Sequence, residues 1–163
     1  MPLPPAITDL EQLKNRPILS ELLAWNAGAI QKARFDRDEL TVFVDRESIR
    51  EACAQLKSRG VTDFLSDLTC ADFYPRDPRF EVAYHLLSMK NRQRIRLKVV
   101  LSGDDAVLES ITAVWPSANF FEREIFDLFG VRFLGHPYLR RIMMPEDWEG
   151  HPLRKDYPVE GYR

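Results

Sequence analysis

Glycine and cysteine are scarce in this chain of 163 residues, which contains seven glycines and two cysteines. So few glycines leave little material for a phosphate-binding loop or a dinucleotide fingerprint, and the sequence contains neither pattern. Cys53 and Cys70 are too few and too far apart for an iron–sulfur cluster or a structural zinc site. The sequence therefore predicts two free thiols in a reducing compartment.

Long apolar runs and an excess of charge of one sign are also missing. No run approaches the roughly 18 apolar residues that a membrane helix needs, and the N-terminus lacks the pattern of a secretory signal or a transit peptide. The net charge of -2 argues against a general nucleic-acid or membrane-surface binder. A hydrophobic content of 45% instead predicts one domain with a core of its own.

Catalytic motifs are absent as well. The sequence has no nucleophile elbow and no His-Glu-x-x-His pair. Of the three histidines, we expect His85 to lie in the core, in the middle of a strand. His136 and His151 both precede proline, and they either bind a metal or hold irregular backbone through carbonyl groups. The carboxylates near them are Glu146, Asp147 and Glu149. Their spacing is not one that recurs in metal sites, so we favour the structural role and expect no catalytic residue, cofactor ligand or metal ligand.

Hydrophobic periodicity predicts an α+β fold in which helices pack against one mixed sheet. The predicted helices cover 9–16, 17–28, 45–59 and 104–114, and the predicted strands cover 29–35, 39–44, 64–74, 80–89 and 94–101. Asp45 is the expected cap of the third helix, whose apolar stripe carries Cys53 as a small core residue. In the last strand, Ile95, Leu97, Val99 and Leu101 lie on one face, opposite a row of basic residues. The basic row consists of Arg94, Arg96 and Lys98, and Arg92, which precedes the strand, extends it. Such a row can contact RNA or an acidic partner, but we favour a solvated sheet face.

A further short helix is predicted to begin at Asn119 and to end at Gly130, which can adopt the left-handed conformation that ends many helices. Glu122 lies three residues after Asn119, as in a capping box, and Ser117 is a rival cap. Phe121, Ile125, Leu128 and Phe129 form its apolar face. Glu122 and Glu124 lie about 200° apart around the helix, so they do not form a catalytic carboxylate pair. Arg123 and Asp127 are spaced for a weak surface ion pair.

Residues 131–163 show no regular period beyond a few extended residues near 131–133. Four prolines interrupt them: Pro137, Pro145, Pro152 and Pro158. The segment is nevertheless too apolar and aromatic for a disordered tail. We therefore expect residues 1–130 to form the α+β domain, with 1–7 as a mobile lead-in. Residues 131–163 are expected to form an extended, proline-rich docking tail, covered by the domain and by a second chain together.

These segments carry a spaced pattern that resembles a known family. The pattern consists of Glu122-Arg123-Glu124, Asp127-Leu128-Phe129, His136, Arg140, Ile142-Met143 and the run 144–158. Two upstream runs, 67–72 and 80–87, are similar to the central strands of that family. From about residue 60 onward, the chain resembles the C-type subunit of respiratory complex I, which is the thirty-kilodalton subunit of NADH-quinone oxidoreductase.

The resemblance implies a cofactor-free subunit of the peripheral arm that supports assembly of the quinone-reducing module. The complex as a whole is an oxidoreductase and translocase that couples NADH oxidation and quinone reduction to proton translocation, and FMN, the iron–sulfur clusters and quinone belong to partner subunits. The implied partners are the hydrogenase-like large subunit, which is the D-type subunit, and the B-type and I-type subunits, with no nucleic acid. The implied docking residues are Glu122, Arg123, Glu124, Asp127, His136, Arg140, Trp148, Arg154 and Asp156.

The same resemblance implies a peripheral position on the cytoplasmic face of the inner or plasma membrane, with the membrane contacted only through the complex. One alternative is the equivalent subunit of a related membrane hydrogenase, or of an F420-type or plastid dehydrogenase, where only the electron donor differs. A remote alternative is a stand-alone enzyme for a small molecule, built on the tail histidines and carboxylates.

Overall fold

A computed structural model describes residues 5–161 of the chain. Two helices, α1 (Leu10–Leu13) and α2 (Pro17–Asn26), precede a hairpin of β1 (Ile30–Asp36) and β2 (Glu39–Val44), and α3 (Ile49–Ser58) follows. Three longer strands come next: β3 (Phe64–Asp72), β4 (Phe80–Ser88) and β5 (Gln93–Leu101). The chain then forms β6 (Val107–Glu109), α4 (Ala118–Phe129) and β7 (Arg132–Leu134). The expected lead-in lies partly outside the described residues, and its Ile7 forms a bridge with Phe35.

The first five strands form one mixed sheet in the order β1-β2-β5-β4-β3. Only β2 and β5 run parallel, and the other neighbours are antiparallel. One face of the sheet is buried and the other is polar. The alternation in β5 shows this directly, because Ile95, Leu97, Val99 and Leu101 are each at most 2% exposed. On the polar face, Arg96 pairs with Glu39 and Lys98 pairs with Glu81. The predicted α+β class with a mixed sheet is confirmed.

The third predicted helix is present, but it begins later than expected. A short 3-10 turn covers Arg46–Ser48, and Asp45 makes no cap hydrogen bond. Its carboxylate instead accepts from the Gln31 side chain at 2.6 Å, because β1 brings that amide close. Cys53 is fully buried, as predicted, and burial raises the pKa of its thiol well above the ordinary range.

The prediction of a helix over 104–114 is wrong. Residues Val107–Glu109 form β6, which pairs in parallel with β7. The cause is tertiary, since helix propensity is a weak preference that strand pairing overrides. The connection through α4 brings β7 beside β6 and buries Leu108 and Phe133 between them and the core.

His85 is not in the core, contrary to the sequence prediction. It lies on the polar face of β4 and is partly exposed, because Tyr84 and Leu86 occupy the inward positions on either side of it. Partial burial lowers its pKa, and Arg96 adds to the effect. Along the part of the chain that the structure describes, every helix is too short or too polar to cross a membrane.

We expect Gly130→Ala to destabilise the fold strongly. Gly130 ends α4 with a φ of 76°, and an added Cβ would lie 2.5 Å from an Arg154 nitrogen and 2.6 Å from the His151 ring. The left-handed conformation alone costs about 1 kcal/mol for alanine, and displacing these side chains raises the loss of unfolding free energy to about 3 kcal/mol. Urea denaturation measures this loss.

The matched control is Gly60→Ala. Gly60 has a similar φ of 66°, but no atom lies within 4 Å of an added Cβ. Its loss should stay near 1 kcal/mol. Equal losses for the two variants would show that the close approach at Gly130 contributes nothing to stability.

Candidate docking surface

Helix α4 lies between the domain core and the tail, and it carries two fully buried carboxylates, Glu122 and Asp127. The helix begins at Ala118 after Ser117, which makes no side-chain cap hydrogen bond. The predicted capping box from Asn119 is wrong. Glu122 turns inward instead, where it accepts from the Ser110 hydroxyl at 2.6 Å and from the Ile111 N–H at 2.7 Å.

The Asp127 carboxylate anchors the tail to α4. Its Oδ2 accepts three consecutive backbone N–H groups, from Ile142 at 2.9 Å, Met143 at 2.7 Å and Met144 at 2.9 Å. Its Oδ1 accepts from the Arg141 guanidinium at 2.6 Å. Burial by itself raises the pKa of this carboxyl, but the four donors outweigh burial and hold the pKa below its ordinary value. We call this arrangement the Asp127 anchor.

Arginine side chains satisfy the tail's carbonyl groups around this anchor. Arg141 also donates to the Trp148 and Gly150 carbonyls at 2.8 and 2.9 Å. Arg123 donates to the Arg140 and Arg141 carbonyls at 3.1 and 3.0 Å. The predicted surface pair between Arg123 and Asp127 is therefore wrong, because the tail supplies better partners for both.

Both tail histidines hold irregular backbone, as predicted. The Nδ1 atom of His136 accepts the Tyr138 N–H at 3.0 Å. In the neutral ring the proton is then on Nε2, which donates to the Asn119 carbonyl at 3.2 Å. His151 contacts the Asp127 carbonyl through Nδ1 at 2.8 Å. Burial lowers the pKa of both rings.

A second anchor holds the end of the tail and was not found from the sequence. The Arg79 guanidinium makes two bonds to Asp72, at 2.8 and 2.7 Å, and two to Asp156, at 2.9 and 2.5 Å. Asp72 also accepts the Lys155 N–H at 2.7 Å. Burial works against ionisation, but these donors lower the pKa of Asp72 to about 2. We call this arrangement the Arg79 anchor. The sequence contained one signal for it. Side chains alternate between the two faces of a strand, so Asp72 faces inward with Leu68 and Cys70.

The pKa of Glu122 is shifted in the opposite direction to the pKa values of Asp127 and Asp72. Burial raises its pKa to about 7, against the two hydrogen bonds that it accepts. His136 Nε2 lies 3.9 Å from its carboxylate, and both side chains are inaccessible to solvent. Because neither group can touch a substrate, this pair supports the backbone between β6 and α4.

The nine predicted docking residues fall into two groups. Those with side-chain hydrogen bonds inside the chain are Glu122, Arg123, Asp127, His136, Arg154 and Asp156, of which Asp156 is exposed. The others, Glu124, Arg140 and Trp148, are also exposed, and Arg140 pairs with Glu146 at 3.5 Å. Arg154 donates to the Phe129 carbonyl at 2.6 Å. A docking role for these residues stays a prediction. Within residues 5–161 no group of three or more His, Cys, Asp or Glu side chains is placed to hold a metal ion.

Most of the exposed large apolar side chains within residues 5–161 lie on helix α4 and the tail, and we call seven of them the tail surface. It consists of Phe120, Leu134, Tyr138, Ile142, Met143, Trp148 and Leu153, which are between 37% and 63% exposed. The Tyr138 ring has the Arg140 guanidinium 4.2 Å from its centre and that of Arg123 at 5.8 Å. Aromatic and arginine side chains together are typical of protein interfaces.

We expect Asp127→Asn to release the tail from α4. The amide keeps the shape, but it loses the charge and turns a donor toward the N–H groups or Arg141. Leaving buried donors without a partner should cost about 3 kcal/mol of unfolding free energy. Hydrogen exchange should speed up at the Ile142, Met143 and Met144 amides. Glu124→Gln, on the exposed face of the same helix, is the control, and unchanged exchange in Asp127→Asn would contradict the anchor.

The pH dependence of stability should contain a contribution from Glu122. Its folded pKa of about 7 lies above the ordinary value of 4.5, so its favourable contribution is fully present below pH 4.5 and is lost as the pH rises to about 7. Glu122→Gln keeps an oxygen for the Ile111 N–H and should flatten this fall by up to about 3 kcal/mol. Urea denaturation from pH 4 to pH 8 measures the slope in both proteins. The same slope in both would show that Glu122 titrates normally.

Comparison with known proteins places this geometry in a family. Residues 42–163 match the family described as "Respiratory-chain NADH dehydrogenase, 30 Kd subunit". The C-type subunit of NADH-quinone oxidoreductase from Citrifermentans bemidjiense is 49% identical over 125 residues, which are 77% of this chain and 78% of that protein. The protein of the same name from a Roseiflexus species is 46% identical over 149 residues, covering 90% of this chain and 86% of that one.

Solved structures agree with the sequence comparison. A trypsin-resistant fragment (1-134) of Nqo5 superposes with a TM-score of 0.58 at 38% identity, covering 62% of this chain and 83% of that one. A chain of a membrane-bound sulfane sulfur reductase, an archaeal respiratory membrane complex, has a TM-score of 0.75 and covers 90% of this chain and 86% of its own. At 24% identity that second likeness shows the fold alone. The chain belongs to the family of the 30 Kd subunit of respiratory-chain NADH dehydrogenase.

Proposed function

We propose that this chain is a structural subunit of NADH-quinone oxidoreductase that supports assembly of the quinone-reducing module through its tail surface. The proposal rests on one observation: the tail surface is apolar and exposed, and the Asp127 anchor and the Arg79 anchor fix the backbone that carries it. As a member of its family, the chain is part of an oxidoreductase complex of the respiratory chain. That complex couples NADH oxidation and quinone reduction to proton translocation.

The exposure of the tail surface supports a docking role. Large apolar side chains that remain more than one third exposed gain free energy when a partner covers them, at roughly 25 cal/mol per Å² of buried area. The tail offers them on backbone that is already ordered, so association costs less conformational entropy. The proposed partner is the hydrogenase-like large subunit of type D, with the B-type and I-type subunits nearby.

The chemistry of this chain's own residues supports a subunit without a cofactor. Both thiols are buried, and burial raises the pKa of Cys70 to about 12. Two cysteines are also fewer than the four that usually hold an iron–sulfur cluster, which supports clusters held by partner subunits. In the proposal, FMN, the iron–sulfur clusters and quinone belong to partner subunits, and the chain contacts the membrane only through the complex, on its cytoplasmic face.

The division into a domain over 1–130 and a docking tail over 131–163 is part of the proposal. A solved relative is named as a trypsin-resistant fragment, and that fragment superposes on 62% of this chain. In that relative, a fragment withstands trypsin without the rest of its protein. This supports a domain that folds by itself and a tail that mainly binds a partner. The alternative is the equivalent subunit of a related membrane hydrogenase or dehydrogenase, where the docking would be the same and the electron donor would differ. The neighbouring genes distinguish that alternative from NADH-quinone oxidoreductase.

We expect Met143→Glu to block assembly while leaving the fold intact. The Met143 side chain is 63% exposed, and its N–H, which Asp127 holds, is unchanged by the substitution. Burying an unpaired carboxylate in an interface costs about 2 kcal/mol or more, so co-purification with the other subunits should fall at least about tenfold. The melting temperature of the isolated chain should change little.

Phe64→Glu is the matched control. Phe64 is 50% exposed and begins β3, the edge strand opposite β1. The complex should assemble normally with this variant. Normal assembly with Met143→Glu, or equal loss with both variants, would remove the tail surface from the proposed interface.

A further inference from the structure

An open groove with four arginines lies at the end of the sheet away from the Arg79 anchor. The start of α2, the turn between β1 and β2, and the start of β5 line it, and its volume is about 490 Å³. Strand β5 enters the groove at Gln93 and ends at Leu101, which pairs with Phe80 beside the Arg79 anchor. The groove and the tail anchor therefore lie at opposite ends of the same strands. We call it the arginine groove.

The arginine groove carries uncompensated positive charge. Its cationic side chains are Arg16, Arg37, Arg92 and Arg94. Within residues 5–161 none of these four forms an ion pair. The acidic residues in the lining are Asp38 and Glu39, and Glu39 is bound by Arg96 at 2.5 Å. The start of α2 lies in the same wall, where the helix dipole adds partial positive charge.

The floor of the groove is apolar. Its apolar lining residues are Pro17, Ile18, Phe35 and Leu40, of which Ile18 and Leu40 are buried. The Arg16 guanidinium stacks on the Phe35 ring, 3.3 Å from its centre, which keeps that charge at the edge of the floor. A ligand that matches this groove carries several negative charges and an apolar group between them.

We propose that the arginine groove is a second docking site, which takes an acidic, extended segment of a partner protein with an apolar side chain between its carboxylates. The planar fork of arginine binds carboxylates with two parallel bonds. Arginines from three separate segments suit a row of carboxylates, whereas one compact anion would leave the apolar floor unused. With the tail at the opposite end, the chain would then connect two partners.

The arrangement of the four arginines allows a test that spares the fold. Arg37 and Arg92 are exposed and have left-handed backbone, with φ of 51° at both. Asparagine tolerates that conformation. The double variant Arg37→Asn, Arg92→Asn therefore removes half of the arginine charge without backbone strain. The matched control, Arg59→Asn with Arg132→Asn, removes two exposed charges elsewhere on the chain.

The probe is a fluorescein-labelled peptide of repeated Glu-Asp-Leu, with a Gln-Asn-Leu peptide as the neutral reference, titrated into the full chain. We expect the acidic peptide to bind and the neutral one not to. Exposed ion pairs are individually weak. Loss of two of them should make the groove variant bind about tenfold more weakly, which corresponds to about 1.4 kcal/mol, and the control should match the original chain.

Any one of four results would overturn the proposal. Equal weakening in both double variants, or no preference for the acidic peptide, would show that the groove does not select the segment. Competition by inorganic phosphate at a concentration similar to that of the peptide would indicate a site for a small anion. Binding of phosphatidylglycerol vesicles or oligouridylate through Arg37 and Arg92, with the peptide ignored, would assign the groove to a lipid surface or to RNA.

Discussion

The structure of the tail depends on one carboxylate. Asp127 accepts three consecutive N–H groups and one guanidinium while it is fully shielded from solvent. A segment without helix or strand has no internal ladder to satisfy its backbone, so its N–H groups must find other acceptors. One ionised carboxylate serves several of them at once, because it has about four acceptor positions. The irregular chain can therefore be ordered with little regular secondary structure.

The Arg79 anchor completes this arrangement at the other end of the tail. Arg79 bonds to a strand carboxylate and to a tail carboxylate together, and Asp72 also accepts a tail N–H. Charged hydrogen bonds of this kind are stronger than neutral ones. Since both anchors use buried polar groups, the apolar side chains of the tail are free to remain outside. Val131 and Phe133 pack in the core, whereas the side chains of the tail surface remain exposed.

The two ends of the domain differ in chemistry. At the tail end, anionic side chains hold cations and N–H groups of the same chain, and the apolar tail surface is exposed. At the other end, the arginine groove retains its positive charge because its four arginines form no ion pair within residues 5–161. Two ends of such different chemistry fit the proposed role of a subunit that binds two different neighbours in a larger complex.

The sequence by itself determined the features that depend on neighbouring residues. Alternation along β5 predicted that Ile95 and Leu97 face the core, and helical spacing predicted that Cys53 is buried. The glycine at position 130 predicted the end of α4. These predictions hold because periodicity and backbone conformation depend on only a few neighbouring residues. Only the tertiary structure decided the partners of Glu122, Asp127 and Arg79. Asp72 and Lys155 are 83 positions apart, and β6 becomes a strand only because β7 returns beside it. Such contacts leave no local pattern, since the energy of a buried charge depends on which distant groups the fold brings to it.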